Sequence, residues 1–189
     1  LNPQSDTELN HGEDQIFDVE QTYLCMTYYA QRYSEHALRT LVVDPDGSIT
    51  SVNNTLQSLN VPERFEHLFG QWSAAIYLDQ SDDRGFNDIA LTPVKRDSLT
   101  VPFTNLSRSA FLWGVDYLAL NSLSNIALTI QSSGDNNLLV TLISDGEQSF
   151  AAPLTIQAGQ KKRIHASGNT ARALAITSTS GTATGHPRP

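Results

Sequence analysis

The sequence predicts an α+β protein, with an N-terminal all-helical lobe of about four helices followed by a small antiparallel β-sandwich. Three observations carry that reading. Apolar residues recur at helical spacing from Gln15 to Asp79. After Phe86 that spacing disappears, and short β-prone runs stand between clusters of Gly, Asn, Asp and Pro. Period-two alternation is clearest in Ile126-Ala127-Leu128-Thr129-Ile130 and in Leu138-Leu139-Val140-Thr141-Leu142-Ile143.

Residues 1–14 are polar without a period and read as an entry loop. From Gln15 to Tyr33, Ile16, Val19, Tyr23, Met26, Ala30 and Tyr33 fall on one face with further apolar residues on the flanks, which predicts a buried helix. Ser34 suits the N-cap of a second helix, Glu35 to Val43, expected to bury Ala37, Leu38, Leu41 and Val42. Asp44-Pro45-Asp46-Gly47 ends it as a turn. A third helix starts near Ser48 or Ser51 and carries Ile49, Val52, Leu56 and Leu59. A fourth, with Pro62 in its first turn, runs to Asp79. Its residues Phe65, Leu68, Phe69, Trp72 and Ile76 make the stripe of an amphipathic helix with one buried face.

Residues 15–80 thus form the helical lobe and 81–110 a linker with the first extended segments. The sandwich spans 111–178, with strands near 111–120, 125–131, 137–144, 148–156, 161–166 and 171–178. Turns at 132–137 and 144–147 predict consecutive antiparallel hairpins, and the even strand spacing predicts the sandwich. Residues 179–189 read as a flexible tail.

At 189 residues the chain has room for one large or two small domains, the change in composition after Phe86 favours two, and its 39% hydrophobic content suffices for a packed core. The net charge of −8, with Lys161-Lys162-Arg163 as its basic cluster, argues against nucleic acid as a partner. No apolar run is long enough to span a bilayer. Cys25, the single cysteine, excludes an intrachain disulfide and reads as a small buried hydrophobe. The chain begins with Leu1, and its single methionine, Met26, lies inside a predicted helix. The expectation is therefore a processed precursor or a piece of a longer polypeptide.

Arg32-Tyr33, Ala37-Leu38-Arg39 with Leu41-Val42, Pro45 and Gly47, and Ile49-Thr50-Ser51-Val52-Asn53 form an ordered series. Phe65, Leu68-Phe69, Trp72 and Tyr77-Leu78-Asp79 complete it. Over about residues 20 to 80 this series resembles the helical C-terminal lobe of secreted gluzincin-like zinc metallopeptidases, in which a β-sandwich follows the lobe. The resemblance implies a peptidase whose zinc is held by a His-Glu-x-x-His helix and a downstream Glu. That motif is missing. His11, His36, His67, His165 and His186 include no pair four apart, and the inverted motif would need histidine at 32 or 63, where Arg32 and Glu63 stand. No catalytic residue carries over, and zinc is expected only with an upstream segment.

The remaining constellations are sparse. Gly-x-Ser-x-Gly and a phosphate-binding Gly-rich loop are both absent. Asp79, Asp82, Asp83, Asn87 and Asp88 concentrate oxygen ligands that suit a structural calcium ion, or else form a solvated acidic linker. His36 and His67 lie beside apolar residues on helices, where a structural histidine is the commoner role. Trp113 and Tyr117 would stack on sugar rings or peptides if their faces were exposed, and would otherwise pack in a strand core. Asn53-Asn54-Thr55 and Asn105-Leu106-Ser107 fit the glycosylation acceptor pattern.

Two functional expectations follow. The first is the non-catalytic C-terminal part of a secreted metallopeptidase-like protein, whose partner is an N-terminal catalytic segment of the same precursor. The second is a non-enzymatic extracellular or surface module whose sandwich binds glycan or protein. An exposed apolar face on helices 15–79 would favour the first, and exposed aromatics around Trp113 the second.

Overall fold

The computed structural model describes residues 15–80, 85–86, 89–94, 96–99, 106–110, 112–121, 125–144, 151–166 and 171–180, with the backbone alone for 15–20 and 171–172. The entry loop and residues 181–189 lie outside this set. Four helices come first: α1 (Gln15–Tyr33), α2 (Glu35–Val43), α3 (Ile49–Ser58) and α4 (Phe65–Leu78). Seven strands follow: β1 (Asp97–Leu99), β2 (Asp116–Leu120), β3 (Ile126–Gln131), β4 (Leu138–Ser144), β5 (Ala151–Ile156), β6 (Lys161–Ala166) and β7 (Ala171–Ser178). The α+β class read from the pattern is the observed one.

The helix boundaries follow local chemistry. Ser34, at φ 95°, breaks the chain after α1, and its Oγ accepts from Ala37 N at 3.4 Å. Ser48 caps α3 in a reciprocal box with Ser51. Asp44 Oδ1 accepts from Ser51 Oγ at 2.7 Å and from Asp46 N at 3.0 Å, knitting the α2–α3 turn. Beyond α3, Asn60 adopts φ 58°, Asn60 N reaches Gln57 O at 3.0 Å and Val61 N reaches Leu56 O at 2.9 Å. Those two bonds are the left-handed helix stop that frees the chain to turn into α4. Pro62 precedes α4 rather than opening it. The first orphan donor of α4, Phe65 N, is satisfied from α3 by Asn53 Oδ1 at 2.8 Å.

Strands β1-β2-β7-β4-β5 form a five-stranded sheet, and β3-β6 a two-stranded one. All pairings are antiparallel except β1 with β2. Two sequence expectations change here. Residues 112–115 are not strand, since β2 starts at Asp116, and β3 pairs with β6 instead of forming a hairpin with β4. The turn around Gly134, at φ 83°, carries the chain from one sheet to the other. The short β1 falls within 81–110, where the first extended segments were expected without bounds.

The five-stranded sheet is covered on both faces. Its register aligns Tyr117, Ala175, Thr141 and Pro153 across four strands on one side, and Leu118, Leu174, Leu142 and Ala152 on the other. Tyr117 and Ala175 join the helices in one hydrophobic core, while Leu118 and Leu174 join Ile126, Leu128 and Ala166 of the small sheet in a second. The molecule is thus three layers: helices, large sheet, small sheet. The composition change after residue 80 marks a change of secondary structure within a core that helices and sheet share. Pro153 sits on the edge strand β5, where a missing N–H costs no ladder bond. Exposed Lys161, Lys162 and Arg163 lie on β6, and charge there discourages edge-to-edge pairing of the small sheet.

The helix facing the sheet is α4, and it reverses an expectation. Every residue from Leu68 to Ile76 is buried, so α4 is enclosed all round and not one-sided. Its Phe65 and Phe69 meet Trp113 edge-on, and its small residues Gly70 and Ser73 face the sheet. Gly70 lies against Thr141 and Pro153, the Ser73 carbonyl accepts from Tyr117 Oη at 2.8 Å, and the Tyr77 ring stacks on Tyr117 at 5.5 Å. Conversely α1 is amphipathic. It buries Gln21, Leu24, Cys25, Tyr28 and Tyr29, whereas Tyr23 is 55% exposed. On α2 only Ala37 is fully buried, and Val42 is exposed against expectation. Cys25 is buried as predicted, and burial pushes its thiol up to about 12.

Candidate functional site

The one dense polar cluster among the described residues joins the end of α1 to the start of α4. Arg32 and Tyr33 close α1, Glu63 stands just before α4, and His67 and Gln71 follow one and two turns later. Arg32 Nη2 donates to Glu63 Oε1 at 3.1 Å, and Tyr33 Oη donates to Glu63 Oε2. His67 Nε2 lies 3.5 Å from Glu63 Oε1 and 2.9 Å from Gln71 Nε2. Tyr28, Gln31, Arg32, Tyr33, Pro62 and Glu63 border an adjoining open cleft of about 350 Å³.

Partial burial pushes the Glu63 carboxyl up, but the hydrogen bonds from Tyr33 and Arg32 and the Arg32 charge outweigh it and hold it below the ordinary range. For Tyr33, burial and then the Glu63 hydrogen bond raise the phenol. Burial lowers the Arg32 guanidinium, and the hydrogen bond to Glu63, the hydrogen bond to Tyr33 and the charges of Tyr28 and Glu63 together more than reverse this. Such a carboxylate is no general base, because that role needs a pKa raised towards the working pH and free lone pairs. Both Glu63 oxygens are engaged. The cluster ties the α3–α4 junction to α1 and leaves a polar cleft beside it, with Arg32 Nε buried and unbonded.

That tie fixes a pH dependence. A folded pKa lowered below its unfolded value adds stability above the unfolded pKa and loses it as pH falls through the folded one. Glu63→Gln is expected to cost about 2 kcal/mol at neutral pH, the worth of hydrogen bonds to a charged group. The difference should vanish under acid, which urea unfolding of both proteins at pH 7 and below pH 4 checks.

The residues singled out from the sequence scatter. Asp79 caps α4 at φ 44°, and its exposed carboxylate accepts from Leu91 N at 3.2 Å. The other calcium candidates, Asp82, Asp83 and Asp88, lie outside the described residues, as do Asn87 and Asn105. No group of three His, Cys, Asp or Glu side chains placed to hold a metal occurs among the described residues. His36 is exposed on α2. Tyr117 is 4% exposed and bonded to Ser73, so of the two roles read from the sequence it takes strand-core packing and offers no stacking face. Trp113 is half-buried, with Phe65 and Phe69 at 5.0 Å and 5.2 Å in edge-on contact. Asn53 spends its side-chain oxygen on the start of α4.

The Arg32–Glu63 pair escaped the sequence reading. The spacing of Glu63, His67 and Gln71 along one helix face was visible, but a partner 31 residues back was not. Tyr23, Val42 and Val43 are the other surface feature, exposed by 55, 75 and 78% on the two helices farthest along the chain from the sheet.

Fold and site define an α+β protein of three layers whose described residues present a polar tie and, on α1 and α2, the exposed Tyr23, Val42 and Val43. No family model matches the chain, and no curated protein or solved structure matches it either. No helix among the described residues is long and apolar enough to cross a membrane.

Proposed function

We propose that this chain is the non-catalytic C-terminal part of a secreted metallopeptidase-like protein. Its helical layer walls a substrate cleft, and its sheets serve stability or targeting. The observation that carries this reading is the apolar exposure of Tyr23, Val42 and Val43. One aromatic and two aliphatic side chains left bare on paired helices fit a surface built to abut another segment. That segment is the zinc-bearing N-terminal part of the same precursor, with His-Glu-x-x-His and a downstream Glu. The rival reading, a glycan- or protein-binding module working through Trp113 and Tyr117, loses its surface to their packing.

The reading expects no catalytic zinc in the chain alone. After dialysis against zinc and then buffer, metal analysis should find substoichiometric zinc, and casein should remain uncut. Stoichiometric retention of zinc, or cleavage, would overturn it.

A further inference from the structure

A second cavity, of about 380 Å³, opens between the two sheets, away from the helices. Leu118, Leu128 and Leu174 are buried in its wall, and Ile130, Leu138 and Ile176 flank them half-buried. Its lining is also polar: Gln131 at the end of β3, Ser133 and Asn136 on the β3–β4 connection, and Arg108 and Asp116 all border it. The Arg108 guanidinium is already bound to the Asp97 carboxylate. Among the described lining residues no other cation is left to fix an anionic head, and Lys161, paired with Gln131 on β6, is exposed outside that lining.

We propose that this cavity binds a neutral amphiphile, with a straight alkyl chain between the sheets and an uncharged hydroxyl or amide head at Gln131 and Asn136. The size agrees: ligand pockets occupy about 300 to 1,000 Å³. An apolar cavity of about 150 Å³ already takes benzene, so this one has room for about eight to ten carbons. The inference is independent of the peptidase reading, since it concerns the opposite layer.

The test loads the full chain with N-phenyl-1-naphthylamine, a neutral fluorophore, and displaces it with straight-chain alcohols. Affinity should rise about fourfold per methylene, the worth of one buried CH2. It should level off at about nonanol to decanol, where the cavity is full. Decanoate should displace several-fold less well, because its carboxylate must be desolvated at a mouth whose lining cation, Arg108, is already paired with Asp97. Ile130→Trp, filling the mouth from a half-exposed position, should weaken nonanol by about tenfold or more. If that variant does not fold, Ser133→Trp on the exposed lip replaces it. Absence of probe binding would overturn the proposal. So would affinity that keeps rising past decanol, which is surface adsorption, or displacement that a folded variant leaves unchanged.

Discussion

Gly70→Ala is expected to destabilise the protein by up to about 2 kcal/mol, even though alanine is the better helix former. Removing glycine from a helix interior gains about 1 kcal/mol. Against this, a Cβ at position 70 would stand 2.7 Å from Thr141 Oγ1 and 2.8 Å from Pro153 Cγ. Neither neighbour yields. Thr141 is 1% exposed in the middle of the sheet, and the Pro153 ring is rigid. The helix must lift from β4 and β5, and overpacking of this kind costs about 1–3 kcal/mol. Gly70→Leu should exceed that range and lose cooperative unfolding. Urea denaturation of the two variants reads both effects. A stabilised Gly70→Ala would mean that α4 does not lie on the sheet this closely.

Trp113→Ala carries the other large effect. The indole meets Phe65 at 71° and Phe69 at 69°, closing the start of α4 from the sheet side. Truncating a large aromatic in such a place costs about 3–5 kcal/mol. Trp113 also holds φ at 56°, with its N–H on Ser178 O at 2.9 Å. Left-handed backbone costs a non-glycine residue about 1–2 kcal/mol, and alanine retains that cost. Trp113→Gly should therefore be the milder substitution by about 1 kcal/mol, although it removes more side chain. Equal losses would show that the backbone there is not held left-handed. If either variant were harmless, Trp113 would not be a packing residue.

Why some of this was legible and some not follows from range. Helix ends were readable because Ser34, Asp44 to Gly47 and Ser48 act within a few residues of themselves. Helix faces were not. Periodicity weighs large apolar side chains, so α4 showed the stripe of Phe65 to Ile76 and concealed its second contact face. Gly70 and Ser73 carry that face by being small. In α1 the many apolar residues suggested burial all round, yet only the face through Leu24 and Tyr28 meets the core. Sheet pairing was lost for a related reason. The turn chemistry around Gly134 suits a hairpin, and nothing local records that β3 pairs with β6, about 35 residues on along the chain. The Arg32–Glu63 tie is equally non-local.

The central claim is that this fold is the non-catalytic partner of a zinc-binding segment, and the coding sequence upstream of Leu1 tests it most directly. The account expects His-Glu-x-x-His and a downstream Glu in the same reading frame. An upstream region that lacks them would contradict it and leave a protein whose apolar helical surface meets some other partner.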